Sequence, residues 1–244
     1  MAALYIDPVI MTSPADPDLY TCGTGFLFRP GDRTFLVTNA HVINDGHIAT
    51  LEEYGVAEFR FGERTFTPKI VAIDPDPHVD LAVIDVDGIE FEKRDPGYWG
   101  STVGSLTAYV PPAWPLASPT VGEATLCVGW PKKFRKHEEH GTEFAAFPML
   151  GLRIGDVTER GLLIPFDRTE MISSDFDPAN QIVNETELGG ISGSPVFALH
   201  RDGVMPLQLV GVVRRYGEAF DVLLCTRADL IRADGSISTV DQRS

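Results

Sequence analysis

Three residues of complementary chemistry occur in separate local patterns along the chain: His41, Asp80 and Ser192. A serine hydroxyl is too weak an acid to ionise alone, so a nucleophilic serine needs a base whose pKa lies near neutrality, such as histidine. A carboxylate beside that histidine holds the imidazole in the required tautomer. If the fold brings them together, these three side chains can transfer an acyl group to the serine.

The serine lies in the segment Gly189-Gly-Ile-Ser192-Gly-Ser-Pro195, directly before an apolar run. Acyl transfer needs an exposed hydroxyl and backbone N–H groups aimed at the developing oxyanion, and a glycine-rich loop lets such amides converge. An ordinary Gly/Ser/Pro turn has the same composition. The segment alone therefore leaves both interpretations open.

The histidine and the aspartate are less specific. His41 follows the strand-like run Phe35-Leu-Val-Thr-Asn-Ala, and Asp80 opens the run Asp80-Leu-Ala-Val-Ile. A histidine after a strand is often a structural residue, and aspartate is common where strands begin. Only the occurrence of all three patterns in one chain indicates a catalytic site.

The elements that must position these residues are predicted to be strands. The 23 glycines and 18 prolines lie between short apolar runs whose alternation is imperfect, as expected where strands bury both faces in a barrel. Four prolines between residues 110 and 119 withhold amide donors and mark a linker. Helix-like spacing occurs at residues 227–233. The predicted parts are an arm (1–18), a first barrel (19–110), a Pro-rich linker (111–122), a second barrel with a helix (123–232) and a tail (233–244).

The amino-acid composition restricts the classes of molecule that the protein is expected to bind. With 20 basic and 35 acidic residues the formal charge is −15, which disfavours nucleic acid and anionic membranes. No run of about 18 apolar residues is present, and the N-terminus does not resemble a secretory signal. Three widely spaced cysteines (Cys22, Cys127 and Cys225) are expected to be free thiols in a reducing cytoplasm. The pair His137 and His140 has i, i+3 spacing and no third ligand nearby, so no metal is predicted.

The motifs resemble those of the chymotrypsin or trypsin family. Thr38-Asn-Ala-His41 is similar to the family's Thr-Ala-Ala-His, and Asp80-Leu-Ala-Val-Ile to its Asp-Ile-Ala-Leu-Leu. Gly190-Ile-Ser192-Gly-Ser-Pro195 is similar to Gly-Asp-Ser-Gly-Gly-Pro. The order His, Asp, Ser is also the family's, and two further segments, Gly23-Thr-Gly25 and Leu209-Val-Gly-Val-Val213, support the match.

The resemblance implies an all-β fold of two six-stranded antiparallel β-barrels with a short C-terminal helix, and an active site in the cleft between the barrels. It implies a serine endopeptidase that forms an acyl-enzyme, with His41 as general base, Asp80 as orienting carboxylate and Ser192 as nucleophile. The amides of Gly190 and Ser192 are the expected oxyanion hole. A protein or peptide is the expected substrate, and no cofactor is expected.

Two departures from the family concern regulation and location. Ile191 stands where secreted zymogens carry the aspartate that pairs with a new N-terminus, so activation by that ion pair is not expected. Val42 follows the histidine where the family has a cysteine, so Cys22 lacks that disulfide partner. Both departures favour a cytoplasmic, bacterial-type peptidase that is active as synthesised or controlled by a regulatory protein.

The substrate pocket is less well defined by sequence. Thr186 falls where the trypsin branch has its pocket aspartate, which predicts a neutral pocket. Arg214, Arg215 and Tyr216 fall near the pocket-lining strand, where guanidinium groups favour acidic side chains. The other interpretation is that the arginines lie solvated at a surface edge.

Two other classes of protein stay open at this stage. One is a catalytically silent two-barrel module that binds peptides, or a regulatory peptidase that a partner must activate. The other is an esterase that uses the same three residues, although Pro195-Val-Phe continues as a strand and lacks the elbow of the hydrolase fold. Turnover of a peptide amide separates a peptidase from both.

Overall fold

The structure is a computed structural model, which describes residues 6–12, 20–43, 58–61, 64–91, 107–115, 117–131, 135–138, 141–144, 147–166, 188–199 and 207–238. For residues 12, 20, 58, 135–138 and 141–144 it describes the backbone alone.

Most described residues belong to two antiparallel sheets and one separate hairpin. The first sheet contains β1 (Ile6–Thr12), β2 (Tyr20–Phe28), β3 (Phe35–Thr38), β4 (Glu58–Phe61), β5 (Arg64–Phe66), β6 (Lys69–Asp74) and β7 (Leu81–Asp85). The second contains β8 (Ala124–Gly129), β11 (Phe147–Arg153), β12 (Asp156–Val157), β13 (Gly161–Pro165), β14 (Pro195–Leu199), β15 (Leu207–Gly217) and β16 (Val222–Arg227). The hairpin pairs β9 (Arg135–Glu138) with β10 (Gly141–Phe144).

Strand order runs β5-β4-β1-β2-β3-β7-β6 in the first sheet and β11-β8-β14-β15-β16-β13-β12 in the second. Each sheet curls into a half-barrel, which confirms the predicted all-β, two-barrel fold. Each sheet has seven strands where the prediction has six.

Three apolar clusters explain why the alternation of the strands is imperfect. In β7, Ala82 and Ile84 pack inside the first half-barrel, whereas Leu81 and Val83 belong to a cluster shared with the second sheet. This shared cluster includes Phe197 from β14. A strand with apolar partners on both faces has no polar side to alternate with.

The predicted arm contributes a strand to the first sheet. Strand β1 lies between β2 and β4, so part of residues 1–18 is integral to the sheet. The prediction of an arm rests on the turn-rich segment Ser13-Pro-Ala-Asp-Pro-Asp18, which lies after β1. Pro8 pairs with Thr24 of β2, and Val9 to Thr12 pair with both β2 and β4.

The helix predicted at residues 227–233 is shorter than expected. Arg227 still belongs to β16, and the helical part is one 3-10 turn, Ala228–Leu230. Ile231 then forms a bridge with Ile237. The other helical elements described are α1 (Ala40–Ile43) and a 3-10 turn at Glu218–Phe220. None of the described helices has the length and apolar character needed to cross a bilayer.

The Pro-rich segment contacts both halves of the molecule. The Trp114 indole packs edge-on against Phe28 of the first sheet, with the ring centroids 4.7 Å apart. Its Nε1–H donates to the carbonyl of Ile231 at 2.7 Å. No strand occurs among the described residues of 111–122.

An ion-pair cluster at the end of β7 leads to a testable stability effect. The Lys69 ammonium, 2.9 Å from Asp85 Oδ2, is the main cause that lowers the pKa of Asp85 to about 2, with a further contribution from Arg33. Because this pKa is depressed in the folded state, the stabilisation is present above pH 4 and is lost as pH falls towards 2. Since Lys69 and Arg33 are largely exposed, solvent screening reduces the expected contribution to about 1 kcal/mol.

We therefore expect Asp85→Asn to lower the free energy of unfolding by about 1 kcal/mol at pH 7. Urea denaturation at pH 7 and near pH 3 measures the difference, which should shrink at the lower pH. Asp87→Asn is the control because this exposed neighbour makes no ion pair among the described residues. An equal loss at both pH values would contradict an electrostatic origin.

Candidate active site

His41 and Asp80 are in direct contact. His41 lies in α1, immediately after β3, and its Nδ1 is 2.6 Å from Asp80 Oδ2. The backbone N–H of His41 donates to the other carboxylate oxygen, Oδ1, at 2.9 Å. The side chain of His41 is half exposed, whereas that of Asp80 is mostly buried. The carboxylate thus holds both the ring and the backbone of the histidine.

The backbone at Asp80 is itself unusual. Its φ of +48° lies in the left-handed region, which is unfavourable for a residue with a side chain. The conformation is supported on both sides: the Asp80 N–H donates to the carbonyl of Asp76 at 2.7 Å, and the Asn39 side chain donates to the Asp80 carbonyl at 2.7 Å. Asn39, the residue before α1, is therefore bonded through its side chain to the turn that presents the carboxylate.

Ser192 lies in a turn that joins Leu188 to β14 and is anchored to the first sheet. Its carbonyl accepts from the Thr24 N–H at 2.7 Å, and the following N–H, of Gly193, donates to the carbonyl of Val213 at 2.8 Å. Gly193 has a φ of +88°, and a Cβ on it would lie 1.9 Å from the Thr24 carbonyl oxygen. Only glycine fits at the position after the serine.

Replacing Gly193 by alanine is expected to displace the serine loop, residues 189–195, and to lower the free energy of unfolding by about 3 kcal/mol. The causes are strain of the backbone at Gly193 and collision of the added Cβ with the Thr24 carbonyl. Gly189→Ala is the matched control in the same loop, because a Cβ there would have no neighbour within 4 Å. Urea unfolding of the two variants tests this comparison. Equal stability of the two variants would show that the loop has room at Gly193.

The hydroxyl of Ser192 donates to the backbone carbonyl of Arg214 at 3.0 Å. Within the described part of the structure, no hydrogen bond joins the side chains of Ser192 and His41. Within the described part of the chain, the amides of Gly190 and Ser192 donate to no backbone carbonyl. Gly190 has a φ of +96°, another conformation that suits glycine.

Thr24 contacts the loop that contains Ser192, and the sequence analysis missed these contacts. Besides the backbone hydrogen bond to Ser192, the Thr24 hydroxyl donates to the carbonyl of Gly190 at 2.9 Å and accepts from the backbone N–H of Trp130 at 3.1 Å. The residue is fully buried. One threonine of the first sheet thus holds the serine loop at two points. A polar residue between two glycines in an apolar strand was the available signal.

The tentative pocket residues have different positions. Thr186 lies outside the described residues. The Arg214 guanidinium donates through Nη1 to the carbonyl of Pro77, beside the Asp80 turn. Arg215 is exposed, as the solvated-edge interpretation predicts. The Tyr216 hydroxyl donates to the carboxylate of Asp221.

A comparison with protein families matches residues 23–211 to the trypsin-like peptidase domain. The chain belongs to the trypsin-like peptidase family. The matched region of this trypsin-like peptidase domain contains His41, Asp80 and Ser192.

Solved serine proteases resemble the chain as a whole. The thermostable serine protease AL20 from an extremophilic microorganism is 16% identical, with a TM-score of 0.51 and coverage of 93% of each chain. The active form of the Rv3671c protease from M. tuberculosis is 18% identical, with a TM-score of 0.49; the match covers 93% of this chain and 77% of that one. The HtrA-type protease AlgW is 15% identical, with a TM-score of 0.47 and coverage of 93% and 57%. At such identities the likeness to AL20 shows the fold alone. A search of curated proteins finds no match to the sequence.

Proposed function

We propose that this trypsin-like peptidase domain is a serine endopeptidase that hydrolyses peptide bonds through an acyl-enzyme. His41 is the general base, Asp80 orients it, and Ser192 is the nucleophile. The observation that carries the proposal is the double contact of Asp80, whose two oxygens lie 2.6 Å from His41 Nδ1 and 2.9 Å from the His41 backbone nitrogen. A carboxylate in this position keeps the proton on Nδ1 and leaves Nε2 free to accept one.

In the proposed mechanism the Ser192 hydroxyl turns from the Arg214 carbonyl towards His41 Nε2. The oxygen attacks the scissile carbonyl carbon while its proton passes to His41, and Asp80 stabilises the resulting imidazolium. His41 then gives the proton to the leaving amine as the C–N bond breaks. Water, deprotonated by His41, then attacks the ester carbon. His41 returns the proton to the Ser192 oxygen as the ester C–O bond breaks, which releases the carboxylic acid product and restores the serine hydroxyl.

The amides of Gly190 and Ser192 are the proposed oxyanion hole. Neither has a backbone acceptor among the described residues, so both are free to donate to the developing negative charge. The hydrogen bond from Thr24 to the Gly190 carbonyl fixes the peptide unit between Gly190 and Ile191, which lies between the two donors. Preorganised donors of this kind contribute because they need no rearrangement during the reaction.

The serine loop has an apolar anchor where secreted relatives use an ion pair. Ile191 is 1% exposed and packs in the core cluster of the second sheet with Val196 and Val213. Its burial removes apolar surface from water without any newly created N-terminus. This supports a peptidase that needs no cleavage at its N-terminus for activation.

A peptidase activated by a regulatory partner is the second candidate. One observation favours it: the Ser192 hydroxyl contacts the Arg214 carbonyl and not His41. A partner that favoured the orientation in which the Ser192 hydroxyl points towards His41 would raise the activity without any change in the catalytic residues.

The expected substrate is a protein or peptide, and a reducing compartment such as the bacterial cytoplasm is the expected location. Cys127 and Cys225 are free thiols, and burial raises the pKa of Cys225 to about 12, which keeps this thiol protonated and unreactive.

Labelling with a fluorophosphonate, followed by peptide mapping, tests the proposed function. The probe should attach to Ser192 and to no other serine, and the labelled protein should lose its ability to cleave a fluorogenic peptide amide. Protein unfolded in urea is the control and should not react. Labelling without amide cleavage would favour an esterase, whereas a folded protein that neither labels nor cleaves, even with added cell extract, would contradict the proposal.

A further inference from the structure

The turn that presents Asp80, residues 76–80, is held by groups from the second sheet. The Arg160 guanidinium, just before β13, pairs with the Asp76 carboxylate at 3.0 Å. The Thr226 hydroxyl, from β16, donates to the carbonyl of Val79. Asp76 also caps the turn by accepting from the His78 N–H, the main cause that lowers the pKa of its carboxyl. The position of the carboxylate that orients His41 is thus determined partly by the opposite half of the molecule.

Arg214 supplies a third such contact, through its hydrogen bond to the Pro77 carbonyl. Strand β15 pairs Val213 with Cys225 but Arg215 with Leu224, so Arg214 is the extra residue of a β-bulge. A bulge redirects a side chain that a regular strand would place elsewhere. In this protein the side chain of the bulge residue, Arg214, contacts the turn that presents Asp80.

This placement is costly for the protein. The guanidinium is partly buried, which is the main cause that lowers the pKa of Arg214. Its Nε is buried and has no hydrogen-bond partner among the described residues. A buried donor without a partner destabilises a fold. Stability alone therefore does not explain why an arginine occupies the bulge.

The backbone of the same residue contacts the other half of the proposed triad. The Arg214 carbonyl is the acceptor for the Ser192 hydroxyl. The side chain of Arg214 thus contacts the turn of Asp80, while its main chain contacts the nucleophile. One residue links the two groups whose relative position determines acyl transfer.

We propose that Arg214 is a positioning residue, which ties the Asp80 turn to the bulge beside Ser192 and so fixes the geometry between the His41–Asp80 pair and the nucleophile. The proposal rests on the serine-peptidase function proposed above. It assigns Arg214 to the catalytic geometry and not to a pocket for acidic substrates.

The first test compares Arg214→Met with Arg214→Lys on a fluorogenic peptide amide. Methionine keeps the apolar stem but cannot donate to the Pro77 carbonyl, and we expect kcat to fall about 30-fold with little change in KM, because misplaced catalytic groups slow the chemical step. Lysine retains one donor and should recover most of kcat. Arg153→Met is the matched control, since Arg153 also donates to a backbone carbonyl, that of Gly122. It should stay within twofold of the wild type.

The pH profile provides a readout that a purely structural role would not change. Arg214 is a cation that interacts electrostatically with the Asp80 carboxylate, so its removal changes the charge balance around the His41–Asp80 pair. The acid limb of kcat/KM should move to higher pH by about half a unit in Arg214→Met and stay in place in Arg214→Lys. The other charged or titratable groups around Arg214 and the turn are unchanged in both variants: Asp76, His78, Asp80, Arg160, Arg215 and Cys225.

An NMR measurement separates failure of this proposal from failure of the proposed function. The downfield proton of the His41 Nδ1–Asp80 hydrogen bond reports the geometry without any turnover. We expect it to shift or broaden in Arg214→Met and to be unchanged in Arg153→Met. If that proton and kcat are both unaffected in Arg214→Met, or if only KM for acidic peptides rises, the positioning role is wrong. If the wild type shows no turnover, the proton signal alone decides.

Discussion

Replacing Ser192 by alanine is expected to lower kcat/KM for a peptide amide by about 10⁶-fold, since serine peptidases lose this much when the nucleophile is removed. The alanine variant can form no acyl bond, so only binding and the oxyanion donors can assist attack by water. The hydroxyl makes one hydrogen bond in the described structure, to the Arg214 carbonyl. Its loss should change the melting temperature little, and thermal denaturation beside the kinetic assay measures both effects.

Ser194→Ala is the control for this variant. Ser194 lies two residues further along the same turn, and its side chain is fully buried. Its loss should leave kcat/KM within about threefold of the wild type, as expected for a residue that does not touch substrate.

His41→Ala should reproduce the loss of the serine variant, and the double variant should be no worse, because the two groups act as a unit. Additive losses in the double variant would show that Ser192 and His41 do not act together. Full activity in either single variant would contradict the proposed mechanism.

The three triad candidates can be identified from sequence because each lies in a short segment whose composition reflects its role. The small residues before His41 allow the chain to leave β3 and enter α1 at once. Gly193 was marked as part of a glycine-rich loop, and the structure gives the reason: its neighbour across the turn is the Thr24 carbonyl. Requirements of this kind act on residue type at one position, so they are visible in a single sequence.

Contacts between distant segments are not visible in this way. The sequence predicts a pocket position for Arg214 because this residue falls near the strand that lines the pocket in the family. Arg214 and Pro77 are 137 residues apart in sequence, and their contact accompanies a β-bulge that the residue types do not predict. Strand β1 is a further example, because its pairing with β2 and β4 is a property of the sheet and not of residues 6–12 alone.

Asp80→Asn is the second large effect, with an expected loss in kcat of about 10⁴-fold at neutral pH. The two oxygens of Asp80 have different partners, the backbone nitrogen and the ring Nδ1 of His41. In the asparagine variant the amide oxygen can still accept from the backbone N–H, which places the NH₂ group opposite Nδ1. The ring must then accept at Nδ1 and carry its proton on Nε2, where it can no longer take the proton of Ser192.

The geometry of the site should be retained in Asp80→Asn, and this distinguishes the expected loss of kcat from a folding defect. Asp85→Asn also removes one carboxylate, but Asp85 lies at the far end of β7 from Asp80, and its partners are Lys69 and Arg33. We expect Asp85→Asn to lose stability and keep kcat, and Asp80→Asn to lose kcat and keep most of its stability. Kinetics and urea denaturation of both variants measure the contrast. If Asp80→Asn retained kcat within tenfold of the wild type, the carboxylate would not control the tautomer of His41, and the general-base role of that histidine would need another source of orientation.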